Sequence, residues 1–164
     1  MKGKVVFKLG SDISTDEIYP GRFMATVLPS ETPAYAFFDE TDINKKLING
    51  DIPKGSFIVA DDNFGCGSSR EQAASTLKAY ELMVVAKHFS RIFMQNAINL
   101  GLQTIICPDI EANQGDELEI KGETLINHTS NKRFKVMPLP KERQAIIDAG
   151  GLINFTRKKL MGKK

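Results

Sequence analysis

Apolar residues recur along this chain in two alternating rhythms. Short continuous runs at Phe57-Ile58-Val59-Ala60, Leu82 to Ala86 and Thr104-Ile105-Ile106-Cys107 have the length and apolar content of strands buried on both faces. Between them the apolar positions step by three and four. Ala73, Ala74, Leu77 and Tyr80 share one helical face in a segment starting at Ser69, and Phe89, Ile92, Phe93, Ala97 and Leu100 share another that starts near Ser90 and stops at Gly101. The order strand, helix, strand, helix, strand predicts an α/β fold whose parallel strands are joined by right-handed crossovers. In such sheets ligands collect at the strand carboxyl ends.

The flanks carry weaker patterns. Lys4 to Lys8 predicts another strand, and the stretch from Gly10 to Pro33, rich in Asp, Ser, Thr, Pro and Gly, predicts a long loop. Asp42 to Asn49 predicts a short helix ending before Gly50. After Asp109 the pattern turns to short β segments at Glu117 to Ile120, Thr124 to Asn127 and Arg133 to Met137, followed by one amphipathic helix from Pro140. No repeat, low-complexity tract or linker interrupts the sequence, so residues 1–164 are expected to form one domain.

Composition removes several function classes. The net charge is only +2, and basic residues cluster only at Arg157, Lys158, Lys159, Lys163 and Lys164, which reads as a solvated helix end and not as a nucleic-acid arm. No apolar stretch is long enough to span a bilayer, and MKGKVVFKLG turns polar too early for a secretory leader, so a cytoplasmic protein without a membrane partner is expected. Cys66 and Cys107 are expected to be reduced thiols. With His88 and His128 they make no metal-ligand spacing, and two cysteines are too few for an iron–sulfur cluster, so no metal or cofactor is expected on this chain.

The chemistry concentrates in Gly65 to Ala74, GCGSSREQAA, where a glycine loop enters a helix. Glycines let successive N–H groups turn inward, the helix start adds free N–H groups and a positive dipole end, and Arg70 offers a planar fork for a carboxylate or phosphate. An anion site follows from these residues. Ser68-x-x-Glu71 is equally a capping box, which accounts for Ser68 and Glu71 without any ligand. A second motif, Ser11 to Arg22, gathers carboxylates and hydroxyls, and Ser14-x-x-Glu17 repeats the capping pattern. Cys66 reads as a space-filling residue, His88 as a hydrogen-bonded structural residue, and His128 has no evident partner.

Taken together, STDEIYPGR, GSSRE and SRIFMQNAINLG in this order resemble the small subunits of the aconitase-like hydro-lyases, among them the isopropylmalate dehydratases and homoaconitases. The resemblance runs from about Lys4 to Pro108 and more loosely to the end. It implies the swivelling β/β/α domain, with mainly parallel central strands, flanking helices and a more irregular β region near the C-terminus. It also implies a large partner subunit that carries a 4Fe-4S cluster, a heterodimer or heterotetramer, and a small hydroxy-dicarboxylic acid as substrate. Ser68 matches the family's catalytic base. Ser69 and Arg70, with Gly67, match residues that hold substrate, and Asp16 matches an acid that pairs with a histidine of the cluster-bearing part. Arg91 and Asn96 are expected to support the structure, Arg91 also as a secondary site candidate.

Two departures bear on substrate. Gln72 stands where aconitases have histidine. More informative is the loop Arg22, Phe23, Met24, Ala25, Thr26, Val27 and Leu28: homoaconitases read YLRT where this chain has Phe23-Met24-Ala25-Thr26, so their arginine is missing. An apolar lining suits an alkyl substituent better than a third carboxylate, which would be buried unpaired. The expectation is interconversion of 2- and 3-isopropylmalate, with dimethylmalate or homoaconitate as rival substrates, Arg22 as a cation that a shifted backbone brings inward, and plain packing of the loop as a further alternative. A non-catalytic module whose loop binds phosphate is the reading from a different class.

Overall fold

The computed structural model of the chain describes residues 1–26, 28 and 30–162. Within them the chain runs β1 (Lys2–Lys8), α1 (Thr15–Ile18), two 3-10 turns (Gly21–Phe23 and Thr32–Tyr35), α2 (Thr41–Ile48), β2 (Phe57–Ala60), α3 (Glu71–Ala79), β3 (Met83–Ala86), α4 (Arg91–Leu100), β4 (Gln103–Ile106), β5 (Glu117–Lys121), β6 (Thr124–Asn127), β7 (Lys132–Lys135), α5 (Lys141–Asp148) and α6 (Leu152–Met161). The strands form one sheet in the order β4-β3-β2-β1-β5-β6-β7. β1 to β4 are parallel to one another, and β5 to β7 form an antiparallel meander whose first strand, β5, pairs antiparallel with the other edge of β1. The late β segments are therefore three regular strands of the same sheet, more ordered than the irregular region expected.

Alternation along β2 and β3 explains the layers. Ile58, Ala60, Val84 and Ala86 point to one face, where Leu47 of α2, Ala73, Ala74 and Leu77 of α3, and Phe93 and Ala97 of α4 complete a buried cluster. Phe57, Val59, Met83 and Val85 point to the other, where Leu118, Ile120 and Leu125 of the meander and Ile110 and Ala112 of the loop after β4 cover them. The meander thus takes the place of a second helical layer.

Two helical details differ from the sequence pattern. In α4 the residues Phe93, Met94, Ala97 and Ile98 are buried while Ile92 is exposed, because Met94 and Ile98 pack on Ile147 of α5 as well as the sheet. One C-terminal helix was expected and there are two. Gly150 and Gly151 take φ of +82° and +116°, and a Cβ on Gly151 would lie 2.8 Å from the Asn99 carbonyl oxygen, so only glycine lets the chain reverse this close to α4. The Lys78 ammonium, its pKa lowered by burial, donates to the carbonyls of Leu100, Gly101 (3.3 Å) and Gly150 (3.0 Å) and ties that turn down.

Candidate active site

The loop after β2 is laced between two other segments at the carboxyl ends of the parallel strands. On one side the Gly65 and Cys66 N–H groups donate to the Ile13 carbonyl (2.7 and 3.2 Å) and the Thr15 N–H donates to the Cys66 carbonyl (2.8 Å). On the other, Phe64 N–H donates to the His88 carbonyl (3.0 Å) and Ser90 N–H to the Phe64 carbonyl (2.9 Å). Gly65 has φ of +79°, and a Cβ there would come within 2.2 Å of Cγ of the buried Phe93. That close approach brings the loop down onto α4, and Ser69 shares a cleft wall with Arg91 at the start of that helix.

The helix that follows starts later than expected. Ser68 does not cap it: α3 begins at Glu71, Arg70 is the N-cap residue in an extended conformation, and no side chain makes a capping bond. The reason is a long-range contact. The Thr15 hydroxyl donates to the Ser68 carbonyl (2.8 Å), holding residues 68 to 70 alongside α1 and outside the helix. Ser68 and Ser69 are consequently exposed. Ser14, by contrast, does cap α1, accepting from the Glu17 N–H at 3.0 Å.

Asp16 and Arg70 join the two motifs. Arg70, whose side chain is only 13% exposed, donates from Nη1 to Oδ1 of Asp16 and to the Tyr19 carbonyl (3.1 Å), and its buried Nε has no partner among the described residues. Asp16 also accepts from the Gly21 N–H (2.8 Å). The Arg70 guanidinium first and the Gly21 N–H second hold the Asp16 carboxyl below its ordinary 3.8. A depressed carboxylate keeps its interactions above the unfolded pKa and loses them as pH falls through the folded one, so the Asp16–Arg70 bond persists at pH 3.8 and breaks below it. We expect carbonyl-carbon NMR to show Asp16 titrating below 3.8, and Arg70→Gln to move that titration upward; an unmoved titration refutes the assignment. Asp16 remains 64% exposed, so a donor from outside the chain can still reach it.

The 22–28 loop divides in two. Phe23 is stacked on Tyr35 (centroids 4.2 Å apart) and packs against Phe38 (4.7 Å), so it belongs to an aromatic cluster. Thr26 is half-buried, its N–H donating to the Phe23 carbonyl at 2.9 Å. Met24, Ala25 and Leu28 are exposed, and Val27 lies outside the described residues. Arg22 does not turn inward. Both its terminal nitrogens bind Asp39, and its guanidinium lies 4.8 Å from the Phe23 ring centroid and 5.4 Å from that of Phe38.

Comparison with known proteins gives this arrangement a family. A model of the Aconitase C-terminal domain matches residues 39–109. The 3-isopropylmalate dehydratase small subunit of Methanosarcina mazei is 41% identical over 163 residues, covering 96% of this chain and 97% of that one. This chain belongs to the 3-isopropylmalate dehydratase small-subunit family. The crystal structure of 3-isopropylmalate dehydratase (leuD) from Methanocaldococcus jannaschii superposes with a TM-score of 0.88 at 37% identity, covering 99% of this chain and 96% of the other. The 2,3-dimethylmalate dehydratase small subunit of Eubacterium barkeri is 42% identical over 162 residues, covering 94% and 96%, so overall identity does not separate these two substrates.

Among the residues the family motifs single out, Asp16, Gly67, Ser68, Ser69 and Arg70 are brought to one end of the sheet. Thr15 was not legible as a site residue: nothing in the pattern separates its hydroxyl from the others in the loop. Arg143 stands on α5, which only the tertiary fold brings beside Ser69 and Arg91. The remaining polar candidates lie elsewhere. His88 is exposed with Nδ1 2.5 Å from Asp62, and His128 does have a partner, Glu119, at 2.8 Å. Cys66 and Cys107 are free thiols, and burial pushes the Cys107 pKa up to about 11. Among the described residues no helix is long and apolar enough to cross a membrane.

Proposed function

We propose that this chain is the small subunit of a cytoplasmic 3-isopropylmalate dehydratase, a hydro-lyase of leucine biosynthesis, acting as one swivel domain beside an iron–sulfur large subunit. The observation that carries this reading is near-full-length similarity to small subunits of that name. Among the described residues no three His, Cys, Asp or Glu side chains converge as a metal requires, so the residues here do not fit a cluster, and the reading assigns it to the large subunit.

The chain's own contribution is proton transfer and binding. Dehydration takes a proton from a carbon next to a carboxylate and hydroxide from its neighbour; rehydration returns them with positions exchanged. In this reading Ser68, free of capping duty, acts as its alkoxide, which takes the proton and becomes the neutral hydroxyl. A serine hydroxyl ionises with difficulty in water, and the N–H groups of the loop with the positive dipole end at the start of α3 stabilise the negative charge of the alkoxide before it takes the proton. Arg70 holds Asp16 and braces the loop, Gly67 and Ser69 lie beside the reacting carbon, and Asp16 presents a carboxylate to a histidine of the large subunit.

Met24, Ala25 and Leu28 offer an exposed apolar surface for an alkyl substituent, and Arg22 is occupied by Asp39. For the reconstituted complex we expect kcat/KM to be highest for 2-isopropylmalate, lower for dimethylmalate, and at least ~100-fold lower for homoaconitate, whose extra carboxylate finds no cation there. Steady-state rates on the three acids check this. Comparable rates on homoaconitate contradict the apolar-loop argument, and a preference for dimethylmalate selects the function named for the Eubacterium barkeri relative.

A further inference from the structure

An open cleft of ≈ 650 Å³ lies beside the serine loop, where the N-terminal ends of α4 and α5 meet the end of β4; its walls include Ser69, Phe89, Arg91, Ile92, Asn96 and Arg143. Two features set it apart. Arg91 and Arg143 face the same space, and neither has a carboxylate within ion-pair distance among the described residues. Arg91 also stands in the first turn of α4, where the helix dipole disfavours a cation and no acidic residue offsets it. Apolar surface shares the cleft with these cations: Ile92 is 46% exposed on a helix whose other apolar residues are buried or half-buried.

We propose that this cleft is a docking site for an acidic segment of the large subunit, whose carboxylate enters between Arg91 and Arg143 while an apolar side chain covers Ile92 and Phe89. The inference rests on the functional reading above, which requires a large subunit to complete the site at Ser68. Ser69 belongs both to the serine loop and to the cleft wall, so a subunit closing over the loop also passes over the cleft. Charge complementarity selects the partner's chemistry: two arginines lacking a counter-ion among the described residues, beside exposed apolar surface, are the composition of an interface anchor awaiting an acid. A second copy of this chain would have to bring its own carboxylate to this place, whereas the uncompensated charge here is positive.

The test uses the full chain with its iron–sulfur large subunit. Arg91→Glu and Arg143→Glu are made singly and together, with Arg157→Glu on α6 as a remote control, and each isolated variant is first shown to keep the wild-type melting temperature. Each cleft variant is expected to weaken the assembly Kd at least tenfold, the double variant further, with a shallower salt dependence of association. The control is expected to leave both Kd and kcat at saturating large subunit within twofold of wild type. An unchanged assembly Kd overturns the proposal. So does an unchanged Kd with a raised KM, which would assign the arginines to a substrate carboxylate. Turnover by the wild-type complex is read separately: a complex that assembles but is inactive on isopropylmalate defeats the functional reading and not the docking site.

Discussion

Ser68→Ala is expected to lower kcat of the reconstituted enzyme on 2-isopropylmalate by about 1,000- to 10,000-fold, the effect of removing a positioned proton acceptor. That corresponds to ~4–5.5 kcal/mol of lost transition-state stabilisation. KM should change little, because the hydroxyl is needed when the proton moves and not when the acid binds. The fold should be unaffected, since the Ser68 carbonyl, not its side chain, anchors the loop to Thr15. Single-turnover kinetics together with a measured assembly constant check the expectation. Retention of kcat within tenfold of wild type, with assembly intact, excludes Ser68 as the base.

The second large effect is structural. Gly65→Ala places a methyl group where Cγ of Phe93 lies 2.2 Å away, in a backbone conformation that L residues adopt at a cost. The conformational cost is ~1–2 kcal/mol and overpacking adds ~1–3 kcal/mol, because Phe93 is buried among Phe64, Phe89 and the sheet and has no room to withdraw. A loss of about 3 kcal/mol lowers Tm by about 10 °C in a domain of this size. Thermal unfolding of the isolated chain measures it, and a variant within 2 °C of wild type, on the order of the shift from ~1 kcal/mol, shows that the Gly65–Phe93 contact yields easily. Activity should fall as well, because displacement of Phe93 moves the loop that carries Ser68.

The parallel half of the fold was legible because its signals are local. β2, β3 and β4 are short apolar runs, and the helices between them carry periodic stripes, so Phe57, Val84, Ala73 and Phe93 could be placed from spacing alone. What spacing does not reveal is what a second face touches. Met94 and Ile98 are buried by α5, far along the chain, and the break at Gly150 exists because the chain must pass beside Asn99. The same limit applies at the site. Both serine motifs read equally well as capping boxes, and Ser14 does cap while Ser68 does not. The difference is made by Thr15, a residue more than fifty positions from Ser68 that holds it out of the helix. Local sequence offered two equivalent hydroxyls, and a long-range hydrogen bond assigned one to structure and released the other.

The central place of β1 has a consequence for how the chain is made. β1 pairs with β2 on one side and with β5 on the other, and the latter register joins Lys2 to Glu119. During synthesis β1 to β4 emerge and can assemble first, while the edge of β1 that will receive β5 stays open until more than a hundred further residues have been added. An unpaired strand edge is a template for foreign strands. On this edge Lys2 and Lys4 alternate with Gly3, putting charge on the surface that waits. The meander is therefore a late closure, and β1, made before the other strands of the sheet, is among the last to be sealed.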